Sequence, residues 1–142
     1  MRQDAREGGF AMVETILLGL LLLVPLIWVL GVLADVHRTA LAATAAVREA
    51  GFEAARATDR PHAARAIDRA VAEAFVNQGL DPGPARVHLS APAGLPRGAA
   101  VEVNVSYPVT VVQAPLLGRV SGPSIWVRAR HVARVDPYRS RP

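Results

Sequence analysis

The strongest constraint in this sequence is an uncharged run from Thr15 to Ala34, TILLGLLLLVPLIWVLGVLA. A helix of that length is about 30 Å long, which matches the hydrocarbon core of a bilayer. A cleavable secretory signal has a shorter apolar stretch of roughly 7–15 residues. A soluble helix of this length normally carries a polar face. The run therefore predicts a membrane-spanning helix. Release by ordinary signal peptidase, after the Ala-rich segment that follows, is the alternative.

The remainder of the chain is organised around this helix. We predict a short charged leader over residues 1–9, the transmembrane helix over 10–34, a helical stalk over 35–79 and a small β-rich region over 80–142. The leader is too short to form a domain, whereas the part after the helix has the size of one. We therefore expect a single-pass membrane protein with a cytoplasmic N-terminus and an extracytoplasmic C-terminal domain.

A short motif marks the entrance to the apolar run. The charged leader ends in Gly8-Gly9, the apolar stretch begins at Phe10, and Glu14 is the one charged residue between Phe10 and Ala34. A carboxylate near the bilayer centre costs roughly 2.5–3.5 kcal/mol unless a cation neutralises it. Alternatively, Glu14 lies at headgroup depth, where the first turn of a helix favours an acid.

This motif resembles the class III signal of type IV pilins and their relatives. In that family a prepilin peptidase cuts after the glycine, and glutamate is the fifth residue of the mature chain. The resemblance implies cleavage between Gly9 and Phe10. It also implies that Glu14 pairs with the new α-amino group of a neighbouring subunit and sets the register of assembly.

The wider arrangement is similar to the TadE-like proteins of tight-adherence (Flp-type) pilus systems, on the basis of Gly9, Val13-Glu14, the apolar block with Pro25, and the Ala/Arg-rich helix that follows. The resemblance implies a pilin-like fold and a structural, pseudopilin-type role in a pilus or related secretion assembly. Its implied partners are the membrane, other pilin-like subunits, the pilus or secretion machinery and the prepilin peptidase, with no cofactor. An uncleaved single-pass protein whose outer domain binds a wall component or a protein partner is the alternative.

Helical periodicity continues beyond the apolar run. Small apolar residues recur at helical spacing, which predicts a stripe that packs against the chain's own strands or a neighbour's helix, although any alanine-rich sequence yields such a stripe; its members are Val36, Ala40, Ala43, Val47, Ala50 and Ala54. A break near 58–61 follows, where Thr58 or Asp59 caps a second helix that ends at Gly79. That helix places Ile67, Val71 and Phe75 on one face.

The period then changes from that of a helix to that of strands. Alternation over residues 101–107 predicts a half-buried strand, and Pro108 predicts a bulge, a break or an edge position. A second strand covers 124–135, a weaker one covers 86–89, and residues 115–123 form the loop between the two main strands. Helices first and strands later predict an α+β fold with a small antiparallel sheet.

Catalytic and metal-binding patterns are missing from the sequence. The four histidines are scattered, and neither a Gly-x-Ser-x-Gly elbow nor a phosphate-binding glycine loop occurs. The chain also has no cysteine, which excludes disulfides and thiolate metal sites. We therefore predict a protein that is not an enzyme and holds no metal.

The last strand carries a basic face. Arg128, Arg130 and Arg134 alternate with the apolar residues of that strand and so share its opposite side. The simplest interpretation is a solvated outer face; a DNA strand, an acidic wall polymer or an anionic neighbour are the functional alternatives. Because the sixteen basic residues are scattered among twelve acidic ones, the high pI does not by itself indicate nucleic-acid binding.

Overall fold

The computed structural model of this chain describes residues 4–57, 59–92, 95–111 and 122–136, with side chains from residue 11 onward. These residues form two helices and three strands, in the order α1 (Asp4–Arg56), α2 (Arg60–Asn77), β1 (Arg86–Ser90), β2 (Ala100–Thr110) and β3 (Ser124–Arg134). The helices precede an antiparallel three-stranded sheet, so the predicted α+β class is confirmed.

Helix α1 is long and contains Pro25 in its interior. It begins at Asp4, inside the segment predicted as a leader. Contacts divide the chain into two compact units, Met1–Ala34 and Asp35–Pro142. In the first unit, the described side chains from Ala11 to Ala34 are exposed except for Val32, which is half-buried. By length and composition, α1 is able to span a membrane.

Helix α2 begins after a side-chain cap, and a glycine follows shortly after its last residue, Asn77. Of the two candidate caps, Asp59 fills the position and accepts a hydrogen bond from the backbone N–H of His62 at 2.8 Å. Pro61 occupies the first turn, where its missing N–H removes no intrahelical bond. Gly79 follows the helix with φ of +69°, a left-handed conformation that favours glycine.

The sheet has the order β1-β2-β3, with both neighbouring pairs antiparallel. Odd-numbered residues of β2 are buried and even-numbered residues are half-buried or exposed, as alternation predicts. The register pairs Val105 of β2 with Val87 on one side and with Ala129 on the other. The predicted loop between the main strands lies mostly outside the described residues.

Strand β2 runs through Pro108 without a break, although it is the central strand. The N–H of Val111 donates to Pro123, so odd positions of β2 direct their N–H groups toward β3 and even positions direct them to the other side. On that other side β1 begins at Arg86, opposite Ser106. Pro108 therefore lies where β2 has no described neighbour on its β1 side, and its missing donor removes no ladder bond.

The core lies between the two helices and the inner face of the sheet. The rings of Phe75 and Tyr107 stack with centroids 4.7 Å apart, and the Tyr107 hydroxyl donates to the carbonyl of Asp81 at 2.9 Å. Gly51 of α1 faces β3, where an added Cβ would lie 2.6 Å from Cδ2 of His131. A larger residue at Gly51 would require the imidazole to move.

Candidate functional site: the apolar helix and the outer face of the sheet

Glu14 is the first candidate site, and its carboxylate is exposed on α1. The neighbouring Thr15 hydroxyl donates to the carbonyl of Ala11 at 2.9 Å, so that polar group is satisfied within the helix. Glu14 has no ion pair or hydrogen bond with the rest of the described chain. Its carboxylate is therefore available to a cation supplied by another molecule.

The predicted cleavage position lies in helical backbone. Gly9 and Phe10 both fall within α1, while the Phe10 side chain lies outside the described part of the structure. Because a protease cleft takes an extended backbone, cleavage between Gly9 and Phe10 requires the first turns of α1 to unwind. Gly9 lowers the cost of that unwinding, since glycine is a poor helix former by about 1 kcal/mol relative to alanine.

The predicted small-residue stripe packs inside the chain's own domain. Ala43, Ala50 and Ala54 are fully buried and Val47 nearly so, all in the core that α2 and the sheet complete. Val36 and Ala40, by contrast, are half-buried. The chain's own strands and second helix therefore cover the part of this stripe from Ala43 to Ala54.

A second stripe on α1 points away from the core and was not predicted. Leu41 and Phe52 are 50% and 54% exposed, and the exposed Ala45 lies between them at helical spacing. We call Leu41, Ala45 and Phe52 the outer stripe of α1. Their spacing of four and seven residues is present in the sequence, but Arg48 and Glu49 lie between Ala45 and Phe52 and interrupt the pattern.

The outer face of the sheet is the second candidate site. The register sets Arg86, Ser106 and Arg128 side by side in one row across the three strands. The next row consists of His88, Asn104 and Arg130. These six residues line an open depression of about 490 Å³. With the exposed Arg134 at the end of β3, we call them the basic face.

Two of these arginines are held by neighbours. The Arg86 guanidinium lies 4.5 Å from the centre of the Trp126 ring, in cation–π geometry. Arg130 donates to Glu102 at 2.7 Å, and the other oxygen of that carboxylate accepts from the Asn104 amide at 2.8 Å. Arg128 makes no ion pair with any described residue.

The sequence prediction of this face was incomplete. Arg128, Arg130 and Arg134 share one side of β3, as their alternation indicates. Arg86 and His88 join them from β1, and no sequence pattern pointed to this, because strand pairing is set by residues far apart in the chain. His131, which interrupts the apolar face of β3, lies on the inner side near Phe52, with ring centroids 6.0 Å apart.

Asp59 and Tyr107 are titratable groups with structural tasks. At the start of α2, the backbone hydrogen bond from His62 lowers the pKa of Asp59, and the His62 side chain adds to the effect. Burial raises the pKa of Tyr107. Among the residues that the structure describes, no group of three or more His, Asp or Glu side chains is placed to hold a metal ion.

Comparison with known proteins supplies no relative from which a role could be transferred. No protein family, curated protein or solved structure matches this chain. Its function has to be inferred from the chemistry of Glu14, the apolar helix and the sheet.

Proposed function

We propose that this protein is a pilin-like, TadE-like structural subunit of a tight-adherence-type pilus or a related secretion assembly. In this proposal the apolar part of α1 anchors it in the membrane, and a prepilin peptidase removes residues 1–9. The N-terminus faces the cytoplasm and residues 35–142 lie outside it. The partners are other pilin-like subunits and the assembly machinery, and no cofactor takes part.

The observation that carries the proposal is the position of Glu14. Glu14 is the single charged residue between Phe10 and Ala34, on a helix that is apolar enough to span a membrane. A carboxylate placed there costs roughly 2.5–3.5 kcal/mol if it lies near the bilayer centre. A neighbouring subunit that supplies its free α-amino group removes this cost, so the charge favours assembly over the isolated chain.

The form of α1 supports the same conclusion. One helix provides both the apolar segment and, through Ala43, Val47 and Ala50, a wall of the core. The opposite side of this part of α1 carries the outer stripe, whose Leu41 and Phe52 are about half exposed, although Phe52 also lies near the His131 ring. Helices of adjacent subunits would cover such a stripe in an assembly.

A second function also has observations in its favour. Gly9 and Phe10 are helical, and the basic face is a surface on which a ligand can bind. Both fit an uncleaved single-pass protein whose outer domain binds a wall component or a protein partner. The two functions differ in the N-terminal residue of the mature chain.

The test is the mass of the intact chain purified from the membranes of its native host. We expect a chain that begins at Phe10. Gly9→Val should block processing, because a side chain is introduced directly before the cut, whereas Gly8→Val serves as the matched control and should be processed. A chain that retains residues 1–9 would contradict the proposal and favour the uncleaved binding protein.

A further inference from the structure

The charges on the outer face of the sheet are strongly one-sided. The described outer positions carry four arginines, Arg86, Arg128, Arg130 and Arg134, and one acid, Glu102. By contrast, residues 35–77, which comprise the later part of α1, the cap residue Asp59 and α2, have equal numbers of acids and arginines. A surface that serves only solubility mixes both signs. The excess of arginine is therefore specific to this face.

We propose that the basic face binds a linear polyanion whose charges are phosphodiester groups, namely a polyol- or sugar-phosphate polymer. This function is separate from assembly and does not depend on the processing of the N-terminus. The class of ligand follows from the spacing of the arginines, from the availability of Arg128 for a new ion pair, and from the chemistry of the guanidinium group.

Two arginines flank a serine in the row Arg86–Ser106–Arg128. Adjacent strands are roughly 4.8 Å apart, so the two arginines start roughly 10 Å apart with a small hydroxyl between them. Their long side chains are able to converge on one anionic group above Ser106. The depression at this position is open, which suits one unit of a long chain better than an enclosed small molecule.

Two guanidinium groups of the basic face are held by neighbouring side chains, and a third is not. Arg86 is positioned by the Trp126 ring, and Arg130 is positioned by Glu102. Arg128 lies between these two and has no described partner, so its charge is fully available. A planar guanidinium presents paired N–H donors that match two phosphate oxygens, which a lysine ammonium does not do.

The arginines of β3 lie in a line, which indicates an extended ligand. Along β3, residues on the same side are spaced by roughly 6.8 Å, so Arg128 and Arg130 form a line that Arg134 extends. A line of charges matches a repeating backbone. The described aromatic ring on this face, Trp126, has the Arg86 guanidinium over it, which disfavours the base stacking that single-stranded nucleic acids use.

The experiment uses the full chain in detergent micelles with Trp28→Phe, which leaves Trp126 as the single tryptophan. A glycerol-phosphate polymer is titrated and the Trp126 emission is recorded at several salt concentrations. We expect saturable binding that weakens with salt. Arg86→Gln plus Arg128→Gln should reduce affinity about tenfold or more and lower the salt slope by about one per arginine.

The matched control removes the same charge from the helices. Arg48→Gln plus Arg65→Gln alters two exposed arginines and should change affinity by less than about twofold, because both lie on the helices and not on the basic face. Arg128→Gln alone breaks no described ion pair, so a loss of affinity in this variant is not explained by a lost salt bridge within the chain. It should still reduce affinity severalfold.

Four outcomes would overturn the proposal. The first is absence of saturable binding at low salt. The second is an equal loss in the control pair, which would show that only net charge matters. Equal affinity for polyglutamate of matched length would show that the face does not select phosphodiesters. Tighter binding of single-stranded DNA would assign the face to nucleic acid instead.

Discussion

At the junction of the two helices, both carboxylate oxygens of Asp59 lie within 2.8 Å of Nδ1 of His62, and one of them also accepts the His62 backbone N–H. These hydrogen bonds satisfy a donor that the first turn of α2 cannot bond internally. They also favour the ionised carboxylate, which lowers the pKa of Asp59 from its usual 3.8. The cap therefore links the stability of α2 to pH.

We expect Asp59→Ala to lower the thermal midpoint of the domain formed by residues 35–142 by a few degrees near neutral pH, because the first turn of α2 loses its cap. The folded-state pKa lies below the usual 3.8, so the carboxylate contributes fully above that value. Its contribution disappears as pH falls through the folded pKa. The difference between variant and parent should thus shrink under acid conditions, as measured by circular dichroism of the chain in micelles.

Asp59→Asn is the control for this prediction, because asparagine caps helices about as well as aspartate but does not titrate near this pH. It should keep most of the midpoint at neutral pH and show no acid-dependent loss of its own. An Asp59→Ala effect that stays constant from neutral to strongly acid pH would show that the charge of Asp59 is irrelevant to the cap.

At the scale of the element, the two edges of β2 differ in how much of their length is paired with a neighbouring strand. Its whole length pairs with β3, but β1 covers only the part from Glu102 to Ser106. Even-numbered residues direct their N–H groups to the β1 side, so Ser106 has a strand to bond and Thr110 has none among the described residues. This asymmetry explains how the central strand accepts Pro108.

The partial pairing of β2 with β1 predicts different effects on stability for two proline substitutions on the same side of β2. Ser106→Pro should destabilise the domain by roughly 1–3 kcal/mol, because it removes a donor directed to β1 and leaves a carbonyl unpaired. Thr110→Pro should change stability by less than about 0.5 kcal/mol, as expected of an exposed site without ladder bonds. Denaturant unfolding of both variants in micelles measures the difference. Equal effects would contradict the strand geometry.

The elements themselves could be predicted from local patterns, and their partners could not. Alternation between Val101 and Tyr107 identified the inner face of β2 correctly, because the period of a strand is a local property. The place of Arg86 beside Ser106 depends on register between strands that are distant in sequence. For the same reason, the approach of His131 to Gly51 was not visible before the helix and the strand had been brought together.

At the scale of the whole molecule, one helix serves two compact units. Residues 11–34 of α1 present apolar side chains to the surroundings, whereas its later turns carry core residues such as Ala46 and Ala50. The two parts obey different requirements, since the first needs an apolar solvent and the second needs close packing against strands. Glu14 is the exception in the first part, and it provides the sharpest test of the proposed role.

We expect Glu14→Ala to leave membrane insertion intact, because it removes a charge from an apolar segment. Incorporation into higher-order assemblies should fall about tenfold or more, because the partner's amino group loses its counter-charge. Chemical crosslinking in native membranes, followed by gel analysis of the crosslinked species, measures this fraction.

Glu73→Ala is the matched control, since Glu73 is an exposed acid on α2, outside both the apolar run and the outer stripe. It should assemble like the parent chain. If Glu14→Ala assembles as well as Glu73→Ala does, the carboxylate has no role in register, and the uncleaved binding protein becomes the better account.

The contact between Arg86 and Trp126 has a dynamic consequence for the sheet. β1 is the shortest strand and has a described partner on one side only, so it is the first strand expected to fray. The contact joins β1 to β3 across the central strand. An exposed contact of this kind is worth about 0.5–1 kcal/mol, which reduces the population of the frayed state roughly two- to fivefold. The amide protons of β1 should therefore exchange with solvent more slowly than the length of this strand alone would allow.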